Sequence, residues 1–364
     1  MAEATASRRV AGRAVLWAGL LLGLATAAQA GEGPLLLSTR AAPALPGSGG
    51  SWGFAALDPT RPYLFIARRE NGLTVFDVRQ RKVVRQVPGT RGANGVAFVP
   101  RRNRAYVPNM DGTLTVVRLS DMKALARIPV ARGNLNQAVY EPRSDRLLIT
   151  SGRRADVSTI YQLDPATDRI VAQSDIAAKK LDPPMPLPDG RVLLPWRDEG
   201  EVAVWDPRSA QTLASWRYPA CARPSALAHD GQGRVFIACR GAKPVLIVAD
   251  AATGEQKAAL PLLRNVNALA YDPARRWVLA PSGDDAALNV YLRQSPDDYR
   301  LLGQVGTRPW AHNMVLAPGR GEAYLFTADF TQRVAEPGAE RPSPDFHPDT
   351  FTVLVLGIDP SSGK

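Results

Sequence analysis

The chain has 364 residues, 45% of them hydrophobic, a formal net charge of +11 and two cysteines. The hydrophobic share is ample for packing sheet against sheet and excludes a chain too polar to fold. The basic excess favours anionic partners, and two cysteines leave room for a single intrachain disulfide.

Residues 1–30 read as a secretory signal peptide. Arg8, Arg9 and Arg13 precede an apolar run from Ala14 to Ala28, and small residues follow at Ala28-Gln29-Ala30. The run is short for a membrane span, so no transmembrane anchoring is expected after cleavage. Ser7-Arg8-Arg9 hints at twin-arginine export, although Ala11 and Gly12 stand where that signal has apolar residues. The leader takes three arginines and one glutamate with it, leaving +9. The expected location is the periplasm, and the expected state is a monomer.

From residue 53 onward the chain repeats itself. Each repeat is a short apolar strand, a Pro/Asp/Gly turn, a second strand, a third strand usually ending in Asp, then a turn and a polar strand. The turn positions Pro59, Pro100, Pro142, Pro188, Gly231, Pro273 and Pro318 are spaced by 41, 42, 46, 43, 42 and 45 residues. A period of four strands repeated this way predicts an all-β, seven-bladed β-propeller forming a single domain over residues 31–364. Closed as one ring, it overrides the two domains that length alone suggests.

The seventh repeat is incomplete. After two strands it inserts residues 329–349, a polar, Pro-rich stretch without strand patterning, which reads as a lid or docking loop over the mouth. One apolar strand, Thr350 to Ile358, then ends the pattern. Leu35 to Ala41 has no partners before it, so closure predicts that it completes the last blade as the outer strand. Within the fifth repeat, Cys221 and Cys239 fall at one edge of a hairpin, and an oxidising compartment would join them as a disulfide.

The segments "AYVPN" at Ala105–Asn109 and "VFIAC" at Val235–Cys239 stand in the place of a YVTN motif. The repeats from Gly53 to Pro360 resemble the YVTN family of seven-bladed propellers, and most of all the YncE-type periplasmic proteins. That resemblance implies an exported, non-catalytic propeller, with DNA binding as a role proposed in the family. The wider superfamily also holds quinoprotein amine dehydrogenase heavy subunits and sugar lactonases, which keeps a cofactor-dependent enzyme or oxidoreductase subunit as the alternative.

In a propeller, the loops before the inner strands gather at one channel mouth. These loops carry Arg91, Arg132, Lys179 with Lys180, Arg223, Arg264 and Arg308, each eight to ten residues before its turn position. Such a ring would focus positive potential on an anionic small molecule or an acidic protein surface. Trp52 and Trp310 flank it and suit stacking of a planar group. His312 is the histidine placed at the mouth, and Asn94, Asn136, Asn267 and Asn313 add neutral hydrogen-bonding groups. The opposing reading pairs the same cations with Glu70, Asp111, Asp156, Asp198, Glu199, Asp284, Asp285 or Asp329 as structural glue between blades. Arg68-Arg69, Arg153-Arg154 and Arg240 with Lys243 make some loops between second and third strands basic, so nucleic acid is a further candidate partner. The chain has no Cys-x-x-Cys-His and three histidines in all. No catalytic residue, metal site or cofactor is therefore predicted.

Overall fold

A computed structural model describes residues 37–334 and 344–358; the predicted leader and residues 335–343 of the insertion lie outside the described residues. Seven antiparallel sheets form a ring of blades. In the first six blades the four strands follow one another in sequence. Blade 1, for example, is Ala55–Leu57, Tyr63–Ala67, Leu73–Asp77 and Lys82–Val87.

The second and third strands are apolar on both faces because each blade is packed between two others. Along Tyr63–Ala67, Leu64 and Ile66 face blade 7, while Phe65 and Ala67 face blade 2. This is the two-residue period of a strand. One apolar cluster fills each seam, so the described residues hold seven clusters around the ring. Burial of each such aliphatic or aromatic side chain contributes about 1.5–3 kcal/mol.

The recurring Asp residues shape the turns. Asp58 Oδ1 accepts the backbone N–H groups of Thr60 and Arg61 at 2.9 and 3.2 Å. Asp77 does the same for Arg79 and Gln80 at 2.7 and 2.8 Å, and Asp250 for Ala252 and Thr253. A carboxylate that caps two donors ahead of it replaces strand pairing with a tight turn.

Six outer strands carry a β-bulge at equivalent places. In four of them the squeezed-out residue is an exposed aliphatic: Val84, Leu125, Val171 and Leu213. A bulge bends the edge and spoils it as a template for another strand. These exposed apolar residues therefore mark protected edges.

Blade 7 closes as expected. Its strands are Met314–Ala317, Glu322–Thr327, Phe351–Ile358 and, outermost, Leu37–Ala41. Leu37 lies opposite Ile358 and Thr39 opposite Leu356. Ala44–Leu45 then pairs with Thr352 and Phe351 on the same strand. The first and last described segments are thereby held in one sheet.

The insertion departs from expectation. It holds a two-stranded ribbon, Phe330–Gln332 against Pro344–Phe346, with Phe330 opposite Phe346. Phe346 packs 4.8 Å from the Trp52 ring and 5.7 Å from the Trp310 ring, between centroids. Three-residue strands are too short to show alternation, and aromatic packing supplies what the pattern lacks. Among the described residues no helix is long and apolar enough to cross a membrane.

Cys221 and Cys239 form a disulfide, with Cα atoms 5.1 Å apart and both side chains buried in the seam between blades 4 and 5. It closes a loop of 18 residues and is expected to stabilise the fold by roughly 3 kcal/mol. Guanidinium unfolding of Cys221→Ser/Cys239→Ser against the parent should show that loss, and equal midpoints would assign the bond no stabilising role.

Candidate channel site

A polar belt surrounds the channel. Six residues before the turn position, blades 1 to 6 present Gly53, Asn94, Asn136, Asp182, Ser225 and Asn267; blade 7 presents Asn313 at an offset of five. Several of these side chains tie one blade to the next. Asn94 Nδ2 donates to the carbonyls of Leu135 and Asn136 at 2.9 and 3.1 Å. Asn136 Nδ2 donates to Leu181 at 2.9 Å, and Ser225 Oγ to Val266 at 3.0 Å. Asn267 Nδ2 donates to Asn313 Oδ1 at 2.7 Å, and Asn313 Nδ2 to the Gly53 carbonyl at 2.9 Å. Blade 1 must use glycine, because a Cβ at position 53 would lie 2.0 Å from the Asn94 carbonyl oxygen. Its neighbour Phe54 instead donates its backbone N–H to that oxygen at 2.9 Å.

The same amides turn their oxygens toward cations. Asn94 Oδ1 accepts from Arg69 Nε at 3.1 Å, Asn136 Oδ1 from Lys180 Nζ at 3.4 Å, and Asn267 Oδ1 from Arg240 Nη2 at 2.7 Å. Above the belt lies a cavity of ≈ 650 Å³. Lys180 and Arg264 reach it from the loops before inner strands, and Arg223 from the first residue of one. Arg69, Arg153, Arg197 and Arg240 reach it from the loops or strand ends after second strands. Two lining carboxylates, Asp182 and Asp284, stand against these seven cations.

The ring expected from the sequence is divided. Lys180, Arg223, Arg264, Trp52, Trp310 and His312 line the cavity, whereas Arg91, Arg132 and Arg308 do not. Arg91 pairs with Glu70 at 2.9 Å, Arg264 with Asp285 at 2.5 Å, Arg223 with Asp198 at 3.2 Å, and Arg308 with Asp329. Arg132 is exposed. Exposed pairs of this kind contribute at most about 1 kcal/mol each. Their chief effect is to neutralise the rim. Arg197 went unnoticed in the sequence; it sits beside the acidic pair Asp198-Glu199, which reads as a turn. The six-residue offset of the belt was the signal that would have marked its partner Asp182.

Within the cavity the charges are unequal. Arg197 grips Asp182 in a two-point bond, Nε to Oδ2 at 2.5 Å and Nη2 to Oδ1 at 2.7 Å. Arg69 and Lys180 make no salt bridge to any carboxylate among the described residues. Burial lowers the Arg69 pKa. Burial also brings the Lys180 ammonium down to about 8; Asp182 pulls it up, while Arg197, Arg153 and Arg69 push it further down.

A second cavity, ≈ 460 Å³, adjoins the first and shares Trp52, Arg69, Trp310 and His312 with it. Phe346 from the ribbon forms its apolar wall. Trp310 has φ +65°, a left-handed backbone that a bulky residue adopts at a cost of order 1–3 kcal/mol. Its indole thereby stands edge-on to His312 and Phe346, facing both compartments. Among the described residues no group of three His, Cys, Asp or Glu gathers to hold a metal ion.

No family model and no curated protein matches the chain, so the likeness to YVTN propellers stands on the repeat and its two pentapeptides. Solved structures do match in fold. A chain of hydrazine synthase from Kuenenia stuttgartiensis is 17% identical with TM-score 0.64, covering 77% of this chain and 94% of that one. The WD40 repeats of RRP9 are 10% identical with TM-score 0.70, covering 88% and 99%. A chain of the mitotic checkpoint complex is 11% identical with TM-score 0.70, covering 98% and 99%. Identities this low establish the shared propeller architecture and nothing about ligand.

Asn94→Ala would leave the Leu135 and Asn136 carbonyls short of a donor, and urea unfolding should register a loss of about 1–3 kcal/mol. An unchanged midpoint would remove the belt from the account of ring closure. Lys180 generates a pH effect. Its folded pKa, about 8, lies below the ordinary lysine value of 10.5, so between these pH values the unfolded chain binds more protons. Stability relative to Lys180→Met should therefore rise from pH 8 to 10.5, be fully gained above that window, and be lost as pH falls through 8. Paired melts of parent and variant test this, and parallel pH profiles would contradict it.

Proposed function

We propose that the chain is an exported, periplasmic binding module that captures a small anion at the channel mouth and does not itself turn it over. The observation that carries this reading is the pair of cavity cations, Arg69 and Lys180, each held by a neutral amide oxygen and neither matched by a carboxylate. An anion entering the cavity would supply the missing charge through charge-assisted hydrogen bonds, each worth about 1.5–3 kcal/mol. The cavity, ≈ 650 Å³, falls in the range that suits a small molecule. That favours a compact anion over a nucleic acid or an acidic protein face. Trp310, at the border of the two compartments, would report occupancy through its fluorescence. The disulfide accords with an oxidising compartment, and the sequence of residues 1–30 supports export to the periplasm. Likeness of the repeats to exported YVTN propellers points the same way.

Titration calorimetry with phosphate, sulfate and lactate, at constant ionic strength in chloride, tests the reading. At least one anion should bind and raise the melting temperature. Arg69→Ala and Lys180→Met should each weaken that binding by roughly 10- to 100-fold, while Arg132→Ala, outside the cavity, should not. Absence of binding by all three anions, or equal affinity in the cavity variants, would overturn the proposal. Binding of an oligonucleotide in their place, with steep salt dependence, would establish the nucleic-acid alternative.

A further inference from the structure

Lys180 has features that a simple counter-charge does not need. It lines the cavity, and the hydrogen bond it makes is a long one, 3.4 Å, to an uncharged oxygen of Asn136. Asp182, two residues along, is occupied by the two-point bond from Arg197. Arg69, Arg153 and Arg197 line the same cavity and repel the ammonium form. A lysine desolvated among like charges gives up its proton readily and becomes a nucleophile.

We propose that Lys180 is the nucleophilic amine of a carbonyl-binding site, condensing with small 2-oxo acids to form an imine in the channel. The proposal rests on the anion reading, because an arginine of the cavity must hold the carboxylate. A 2-oxo acid places its electrophilic carbon next to that carboxylate, so one ligand addresses both kinds of group. The neutral Nζ attacks this carbon and forms a C–N bond while the C=O π pair moves to oxygen. One amine proton passes to that oxygen, giving a carbinolamine. The hydroxyl then leaves as water with the second amine proton, and the C=N bond forms. Amine and carbonyl become imine and water, with no oxidant or reductant needed. With its pKa at about 8 against 10.5, roughly 300-fold more of Lys180 than of an ordinary lysine is neutral at pH 7.

The test is reductive trapping of the mature protein with pyruvate and sodium cyanoborohydride at pH 7, read by peptide mass spectrometry. The reagent reduces the imine to a stable secondary amine. Lys179, adjacent and exposed, is the internal control. Lys180 should carry at least about tenfold more adduct than Lys179. Its labelling rate should level off above pH 8. Lactate, an anion of like shape without the carbonyl, should slow labelling of Lys180 and leave Lys179 unaffected. Lys180→Arg should lose the adduct, whereas Lys179→Arg should keep it. Equal labelling of the two lysines in a protein that binds lactate would overturn this inference and leave the anion site standing. Failure of phosphate, sulfate and lactate alike to bind, with no selective trapping, would bring down both.

Discussion

The whole structure depends on a few amide side chains that do two jobs at once. Asn94, Asn136 and Asn267 each donate across a blade seam and accept from a channel cation. A ring of sheets has a crowded centre, where inner strands converge and leave polar backbone groups facing the seam. An unpaired carbonyl there costs about 1–3 kcal/mol. The amide meets that demand with its nitrogen, and geometry then directs its oxygen inward. The channel is therefore lined with acceptors as a consequence of closure, and cations collect against them.

This origin explains the uneven charge of the mouth. Outside, arginines have carboxylates within reach on neighbouring loops, and pairs such as Arg91–Glu70 and Arg308–Asp329 neutralise the rim. Inside, the amide oxygens of Asn94 and Asn136 hold Arg69 and Lys180 without neutralising them. Arg69 and Lys180 thus keep a positive potential in a concave, partly desolvated space, where fields act with the least screening. The left-handed backbone of Trp310 fits the same picture. Ordering that indole in advance at the border of two cavities lowers the cost of meeting a ligand there.

Much of this was legible in the sequence because the repeat multiplies weak local signals. A single Asp before a turn is ambiguous, but Asp164, Asp206 and Asp250 at the same place in successive repeats define an edge. The closing strand, Leu37–Ala41, was legible by elimination, since a closed ring leaves no blade unfinished. Cys221 and Cys239 were legible because a hairpin brings its two ends together. The ribbon within the insertion was not, because Phe346 finds a partner in Trp52, far away in the chain.

Residue order by itself determined the architecture: seven blades, their strand order, the turns, the disulfide and which loops share a face. Those features follow from local chemistry and a fixed period, so sequence distance stands in for spatial distance. Tertiary structure alone decided which cations are neutralised and which remain exposed to the channel. Arg91 and Lys180 look alike in sequence, one per repeat at nearly the same offset. One meets a carboxylate on the neighbouring blade and the other meets the amide of Asn136. Pairing depends on where side-chain ends come to rest within a few ångströms, because charge interactions at contact are set by distance and burial. No periodicity in the chain records that.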